Sequence, residues 1–374
     1  MKTATTPPVC AAIRCSRWRS IWRRRIANYA RSRRSRDWKT CPTPARCCAW
    51  VAPWSTSIAN LSGRFPNASR SISQGECAAF VRDDTFDAVH GGQQLGLFNA
   101  HYDEYGFQPI VVFDGGGRFI TTMLRPAKRP GGKEIKIFLG RLLRAIRANW
   151  PKTQIMLRGD SHYCAPEVLD FCRANGLDYI LGVAPTTTLR RHVGDLEASV
   201  KARYEAAPKQ GKARSFKEFY DGAASWSRVE RVIARVEAGA EGPDTRFVVT
   251  NLKRRNPRTL YEEVYCRRGQ AENHIKSWKT HLAADRTSCT KATANQLRLF
   301  LHAGAYWLMW GLRTSMPKRS MWRIAQFDTL RLRLIKIAAR IVEMKTMIRV
   351  HLPTSCPGQE ILRFALGRIP RLVT

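Results

Sequence analysis

The stretch QIMLRGDSHYCAPEVLDFCRANGLDYILGV, residues 154–183, decides the fold. Gln154-Ile155-Met156-Leu157 is an apolar run of strand length. Ala165 to Asn175 then follows a helical pattern, and Gly176 stands where a helix is commonly capped by glycine. Asp178-Tyr179-Ile180-Leu181-Gly182-Val183 is a second strand-length run. Working outward, Lys133 to Trp150 has apolar residues at Ile137, Phe138, Leu142, Leu143 and Ile146, a helical stripe that Pro151 ends. Upstream of it, Gln108 to Phe113 and Phe119 to Leu124 flank Gly115-Gly116-Gly117, which predicts a hairpin. The order hairpin, helix, strand, helix, strand predicts an α/β fold with helices on a sheet. Downstream, Arg228 to Ile233 and Arg246 to Thr250 alternate, so residues 185–255 are predicted to form an added antiparallel β region. Helices are predicted over Thr259 to Lys279, Ala292 to Thr314 and Phe327 to Ile348. No internal repeat is visible.

Acids stand where such a sheet would end. Asp160 follows the Ile155–Gly159 run directly, and a carboxylate at the C-terminal end of a strand faces a crevice. Asp83 and Asp84 follow Phe80-Val81-Arg82, and either is a second candidate. A single Asp is more often a turn or N-cap residue, so each signal is weak taken alone. The predicted helix at 259–279 carries Tyr265, Arg268, Glu272 and Lys279. At about 100° per residue these four fall in a stripe roughly 60° wide, with Lys276 near it. Periodicity by itself fits a solvated charged face with i,i+4 pairs such as Arg268 with Glu272.

The spacing Tyr265-x2-Arg268-x3-Glu272-x6-Lys279 matches the signature of the insertion sequence 4 superfamily of DDE transposases. The ordered segments His90-Gly91-Gly92-Gln93-Gln94, Phe98-Asn99-Ala100-His101-Tyr102, Leu124-Arg125-Pro126, Arg158-Gly159-Asp160-Ser161 and Leu177 to Gly182 resemble the insertion sequence 1380 family within it. The resemblance covers roughly residues 83–374. It implies a ribonuclease H-like catalytic core with an inserted antiparallel β region and C-terminal helices. In that pattern Asp83, Asp160 and Glu272 are the catalytic acids and hold two Mg²⁺ ions, with Mn²⁺ a possible substitute. Mg²⁺ takes oxygen ligands, and a pair of such ions suits in-line attack on a phosphodiester. Arg268, Lys279, Lys276 and Tyr265 are then expected to contact DNA. The implied reaction is cutting and joining of transposon ends, with terminal inverted repeats and target DNA as partners and a homodimer as the active form. Where the family's first strand is longer and more apolar, Gly75-Glu76-Cys77-Ala78-Ala79 stands here, which predicts a short, poorly paired strand before Asp83.

Composition agrees with a nucleic-acid partner. The 374 residues carry 64 Lys and Arg against 29 Asp and Glu, a net charge of +35, which favours a polyanion. Hydrophobic content of 44% allows a sizeable core. The most apolar stretch, Leu299 to Leu312, contains His302 and ends at Arg313, so it predicts a buried helix and not a membrane span. No secretory leader is evident after Met1-Lys2-Thr3, and a cytoplasmic, nucleoid-associated protein is expected. None of the eleven cysteines has zinc-like spacing, so reduced thiols are expected.

Residues 1–80 stand apart, with fifteen Lys and Arg, two acids (Asp37 and Glu76) and five tryptophans. They show no sustained period. Arg23-Arg24-Arg25 and Arg31-Ser32-Arg33-Arg34 would suit a basic arm, but the expectation is a low-order segment with the composition of a GC-rich gene read out of frame. The expected domains are 1–79, this segment; 80–184, the first part of the core; 185–256, the β-rich insertion; and 257–374, the rest of the core with its C-terminal helices. His90 and His162 lie near the acids and are expected to be structural or solvent-facing. Trp278 could stack on a base, but it, Trp307 and Trp310 are expected in the core. Two other functions fit the same residues: a nuclease of this fold without strand transfer, and a catalytically impaired DNA-binding remnant.

Overall fold

A computed structural model describes residues 10–13, 78–207, 211–253, 255–345 and 347–368, with side chains from Thr85 onward. The chain divides into two compact units, 44–307 and a second made of 1–43 with 308–374. The second unit contains β1 (Cys10–Ile13), the only part of residues 1–77 that is described. The expectation of a low-order N-terminal segment otherwise lies outside the described residues.

The larger unit is built on a mixed sheet. Its first strand in sequence is β2 (Ala78–Asp84), an interior strand. After it comes a small antiparallel sheet of β3 (Asp87–Ala88), β4 (Leu97–Asn99) and β5 (Glu104–Phe107), with β5 in the middle. The hairpin of β6 (Ile110–Phe113) and β7 (Phe119–Met123) follows, with β6 antiparallel to β2. Helix α1 (Gly132–Asn149) crosses to β8 (Ile155–Gly159), which lies parallel to β2 on its other side. Helix α2 (Pro166–Ala174) crosses to β9 (Asp178–Val183), parallel to β8. Gly176 has φ +61°, the left-handed conformation that ends α2 at little steric cost. β2 is thus seven residues long and paired on both edges, which corrects the expectation of a short, poorly paired strand. Ladder hydrogen bonds come from the backbone, so Ala78 and Ala79 pair with β8 despite their small side chains.

Residues 185–256 are not all β, as expected from the alternation. Two helices come first, α3 (Thr187–Arg191) and α4 (Gly194–Ala206). Then β10 (Ala213–Asp221), β11 (Glu230–Gly239) and β12 (Gly242–Thr250) run antiparallel, and β12 pairs with β9. The insertion therefore extends the same sheet, giving the order β10-β11-β12-β9-β8-β2-β6-β7.

Alternation along the central strands divides the core into two faces. Leu157, Tyr179 and Leu181 pack with Ile135, Phe138, Leu139, Leu142 and Ile146 of α1 and with Val168, Leu169 and Cys172 of α2. Burying each large apolar side chain contributes about 1.5–3 kcal/mol. The stripe on α1 is thus slightly rotated from the expected one: Ile135 and Leu139 are buried, whereas Ile137 is 57% exposed. On the other face Met156, Ile180, Ile233 and Val248 pack against Leu260, Tyr261 and Val264. These last three open a helical run over residues 257–281. Asn256 caps it by accepting from the Arg258 N–H, and Pro257 begins it where no N–H is needed. The run is not a uniform α-helix. It passes through π turns at Leu260–Tyr265 and Ser277–His281, with α5 (Gly269–Lys276) between them. A π turn takes more residues than an α turn, so faces read at 100° per residue drift along it. The run ends over β7, where Trp278, fully buried, packs against Phe119.

Helix α6 (Ala292–Ser315) belongs to the larger unit up to Trp307, which is buried and donates its indole N–H to the Phe119 carbonyl. Its last third, with half-buried Trp310, lies in the other unit. There, α7 (Met321–Ile324) and α8 (Phe327–Leu330) are short. The predicted helix over Phe327 to Ile348 is corrected: it ends in a π turn at Arg331–Ile335. The chain then forms the hairpin of β13 (Arg340–Glu343) and β14 (Ile348–His351). Ile341, Val342, Ile348 and Val350 are β-branched and suit strands. β1 pairs with β14, and α9 (Gln359–Arg368) ends the described chain. Among the described residues no helix is long and apolar enough to cross a membrane.

Candidate active site

The site is set by the parallel pairing of β2 and β8. Val81 lies opposite Arg158 and Arg82 opposite Gly159. Asp83 and Asp160 are the next residues along the two chains after this last pair. β2 is also a strand against which α5, carrying Glu272, packs. The side chains of Asp83 and Asp84 lie outside the described residues, so only their backbone position is known here.

Asp160 ends β8 and caps the short 3₁₀ turn Ser161–Tyr163, its Oδ1 accepting from the His162 N–H at 2.9 Å. The role of cap and a crevice position coincide in one residue. Gly182 on neighbouring β9 explains how the helical run comes close: a Cβ there would lie 2.8 Å from the Tyr265 hydroxyl and 3.1 Å from the Ser161 nitrogen. Tyr265 is half-buried. Burial raises its phenol above the usual range, the Arg268 guanidinium opposes that by charge and hydrogen bond, and the Asp160 carboxylate adds to the rise. Tyr265, Arg268 and Asp160 therefore form one electrostatic group. Arg268 Nη2 lies 3.8 Å from Glu272 Oε1, so the carboxylate of Glu272, 67% exposed, is linked to the same group. Arg158 anchors the run from beneath, donating to the Val264 carbonyl at 2.9 Å.

Lys279 lies elsewhere. Its Nζ is 3.0 Å from Asp87 Oδ1, donates to Thr85 Oγ1 at 3.1 Å and also binds the Phe86 carbonyl. The end of the helical run is thus fastened to the segment directly after β2. Burial pushes the Asp87 carboxyl up to about 6 against the pull of Lys279, with Asp285 adding to the rise. Lys276 and His90 are exposed, and His162 is half-buried. His274 packs under α5: its ring faces Phe113, its Nδ1 is 3.3 Å from the Tyr306 hydroxyl, and a Cβ on Gly117 would meet it at 2.5 Å. The residues that sequence reading passed over are Asp87, Gly182 and Arg129, whose guanidinium donates to the Ser161 carbonyl at 3.0 Å. Asp87 carried a faint signal, a third acid in the run Asp83-Asp84-Thr85-Phe86-Asp87.

Among the described residues no three His, Cys, Asp or Glu side chains cluster as a metal site. Asp160 and Glu272 offer oxygen donors only, a set that suits a hard divalent cation and not zinc or copper. The cysteines with described side chains, Cys164, Cys172, Cys266, Cys289 and Cys356, are free thiols. Burial pushes Cys164 up to about 12, so it is not a ready ligand.

No curated protein matches this chain. Among solved structures it is similar to one described as a cryo-EM structure of the piggyBac transposase synaptic complex with hairpin DNA. The identity is 10%, the TM-score 0.38, and the match covers 79% of this chain but only 58% of that one. The family model described as Transposase DDE domain group 1 matches residues 76–374, from two residues before β2 to the last residue. A match over that much of the sequence assigns the chain to the Transposase DDE domain group 1 family.

Proposed function

We propose that this protein is a DNA transposase that cuts and joins transposon ends on a ribonuclease H-like core, with Asp83, Asp160 and Glu272 as its acids. The observation that supports the reading is the parallel pairing of Arg82 with Gly159, the residues that precede Asp83 and Asp160, with the helix of Glu272 packed on β2. The family match supports the same class of reaction. Three antiparallel strands, β7-β6-β2, followed by two parallel ones, β8 and β9, support the ribonuclease H-like assignment.

Two divalent ions, Mg²⁺ or Mn²⁺, held by these carboxylates would neutralise phosphate charge and activate the attacking oxygen. The protein's own part is positioning. Asp160 is fixed by the turn it caps, and Arg268 holds both Tyr265 and Glu272. The guanidinium of Arg268, with exposed Lys276, suits a phosphate on the DNA backbone. The Lys279 ammonium binds Asp87 and so fastens the end of the helical run to the segment after β2. Terminal repeats and target DNA would be held by a pair of subunits, each supplying one site.

The test uses a plasmid carrying this gene with its native flanking DNA. The purified protein with Mg²⁺ should cut at the element's ends and join them to a second plasmid. Asp160→Asn should lower both steps by on the order of a thousandfold. Cutting without joining would favour a nuclease of the same fold, and binding without cutting would favour an impaired remnant.

A further inference from the structure

The turn between β7 and α1, residues 124–131, is held more firmly than its position on the surface requires. Arg125 is 1% exposed, and its guanidinium donates to both oxygens of Glu134, at 2.7 and 2.9 Å, and to the carbonyls of Gln108 and Lys128. The Ala127 carbonyl accepts from Asn99 Nδ2 at 3.0 Å, and the Leu124 N–H donates to Gln296 Oε1 at 2.7 Å. Pro126 and Pro130 fix two backbone angles. This scaffold carries exposed Lys128 and Arg129, with exposed Lys133 in the first turn of α1.

Several buried or half-buried arginines of this unit face a carboxylate: Arg118 pairs with Asp114, Arg173 with Glu230, Arg231 with Glu218 and Arg235 with Asp244. Among the described residues no carboxylate pairs with Lys128, Arg129 or Lys133. Arg129 instead spends one N–H on the Ser161 carbonyl, one residue past Asp160. Its remaining donors stand beside the strand end that carries the candidate acid. A guanidinium with free donors on a rigid turn suits a phosphate, because its fork geometry matches phosphate oxygens and little motion is lost on binding.

We infer that the 124–131 turn, with Lys128, Arg129 and Lys133, is a DNA-backbone contact surface that seats the strand next to Asp160. The inference rests on the DNA reading above but assigns a surface that the signature residues do not include. It is a positioning contact, expected to bind without regard to sequence.

The test measures binding of a short fluorescein-labelled duplex as a function of KCl. The wild type is compared with Arg129→Gln, with the triple variant Lys128→Ala/Arg129→Ala/Lys133→Ala, and with Arg144→Ala. Arg144 is an exposed residue near the far end of α1 whose side chain also makes one backbone hydrogen bond, which makes it a matched control. Each lost phosphate contact should reduce the log–log salt slope by about 0.9, so the triple variant should lose about 2.7 and Arg129→Gln about 0.9. Arg144→Ala should keep the wild-type slope. All four substituted side chains are exposed, and unchanged circular dichroism and melting will confirm folding. A triple variant that folds and keeps the wild-type slope overturns the inference while leaving the transposase reading intact. A wild-type protein that shows no salt-dependent binding overturns both.

Discussion

Lys279 Nζ lies 3.0 Å from Oδ1 of Asp87, a carboxylate only 1% exposed. The two residues join the last turn of the helical run at 257–281 to the segment that leaves β2. A buried charge left without its partner costs far more than the pair contributes when intact. The contact therefore fixes where the acid-bearing strand ends relative to the helix of Glu272.

Stability should reveal this through pH. The Asp87 carboxyl is raised from 3.8 to about 6, chiefly by burial. A carboxyl raised on folding penalises the folded state: the penalty is absent below the unfolded value, grows as pH rises past it, and is complete above about 6. Lys279→Met removes the cation that offsets this penalty. At pH 8 it should cost about 3–5 kcal/mol, and at pH 5, where the carboxyl takes up a proton, clearly less. Asp87→Asn should be the milder change at pH 8, because the ammonium keeps Thr85 and Phe86 as acceptors. Urea unfolding at the two pH values checks this, and equal losses for Lys279→Met at both would exclude a charged Asp87.

The Arg125 clamp gives a second stability prediction. Glu134→Gln leaves a guanidinium that is 1% exposed without its charge partner. The loss should be about 3–5 kcal/mol, the usual result of breaking a buried pair. Arg125→Met, which removes the buried charge itself, should cost less than Glu134→Gln. Thermal melts of the two variants decide the order.

How far the sequence revealed this architecture depended on how local each signal was. The strand–helix–strand unit at 155–183 was legible because each run buries its own apolar residues, as Leu157, Val168 and Leu181 do. The segment 340–351 was not, because its strands are set by pairing with each other and with β1. α4 was missed for a related reason: Val200 is its one fully buried residue, so the helix shows little amphipathic pattern. Tyr265, Arg268 and Glu272 could be placed on a helix from their spacing, but the π turns at Leu260–Tyr265 and Ser277–His281 leave no mark in residue types. The Asp87–Lys279 and Arg129–Ser161 contacts join residues distant in sequence, and no periodicity reports such pairs.

The proposed acids make a kinetic prediction. Asp160→Asn and Glu272→Gln should each lower DNA cleavage by on the order of a thousandfold, the effect of losing a preorganised electrostatic contact. Duplex binding should hold or tighten, since each change removes a negative charge near phosphates. Cleavage measured at saturating protein separates the two effects. Activity within a few-fold of wild type in Glu272→Gln would remove Glu272 from the site.

Gly182 links the fold to the chemistry most directly. It sits on β9, beside the strand that ends in Asp160, and the Tyr265 hydroxyl crosses it so closely that an added Cβ would lie 2.8 Å away. The Ser161 nitrogen would be 3.1 Å from that Cβ and the Asp160 carbonyl carbon 3.3 Å. Neither neighbour can yield cheaply. The first belongs to a ring packed on Tyr261, and the others to the turn that Asp160 caps. Gly182→Ala should therefore displace Tyr265 or Asp160 by a fraction of an ångström, at a stability cost of about 1–3 kcal/mol for overpacking. Misplacement of that size in a catalytic group can cost about a hundredfold in rate. The expected result is a folded protein that binds duplex DNA like wild type but cleaves it far more slowly. Tyr265→Phe in the same background, by removing the hydroxyl that meets the new methyl, should restore part of both stability and rate. If Gly182→Ala cleaves normally, the close approach of Tyr265 to Asp160 has no bearing on catalysis. If Tyr265→Phe fails to relieve it, the strain resides in the Asp160 turn instead.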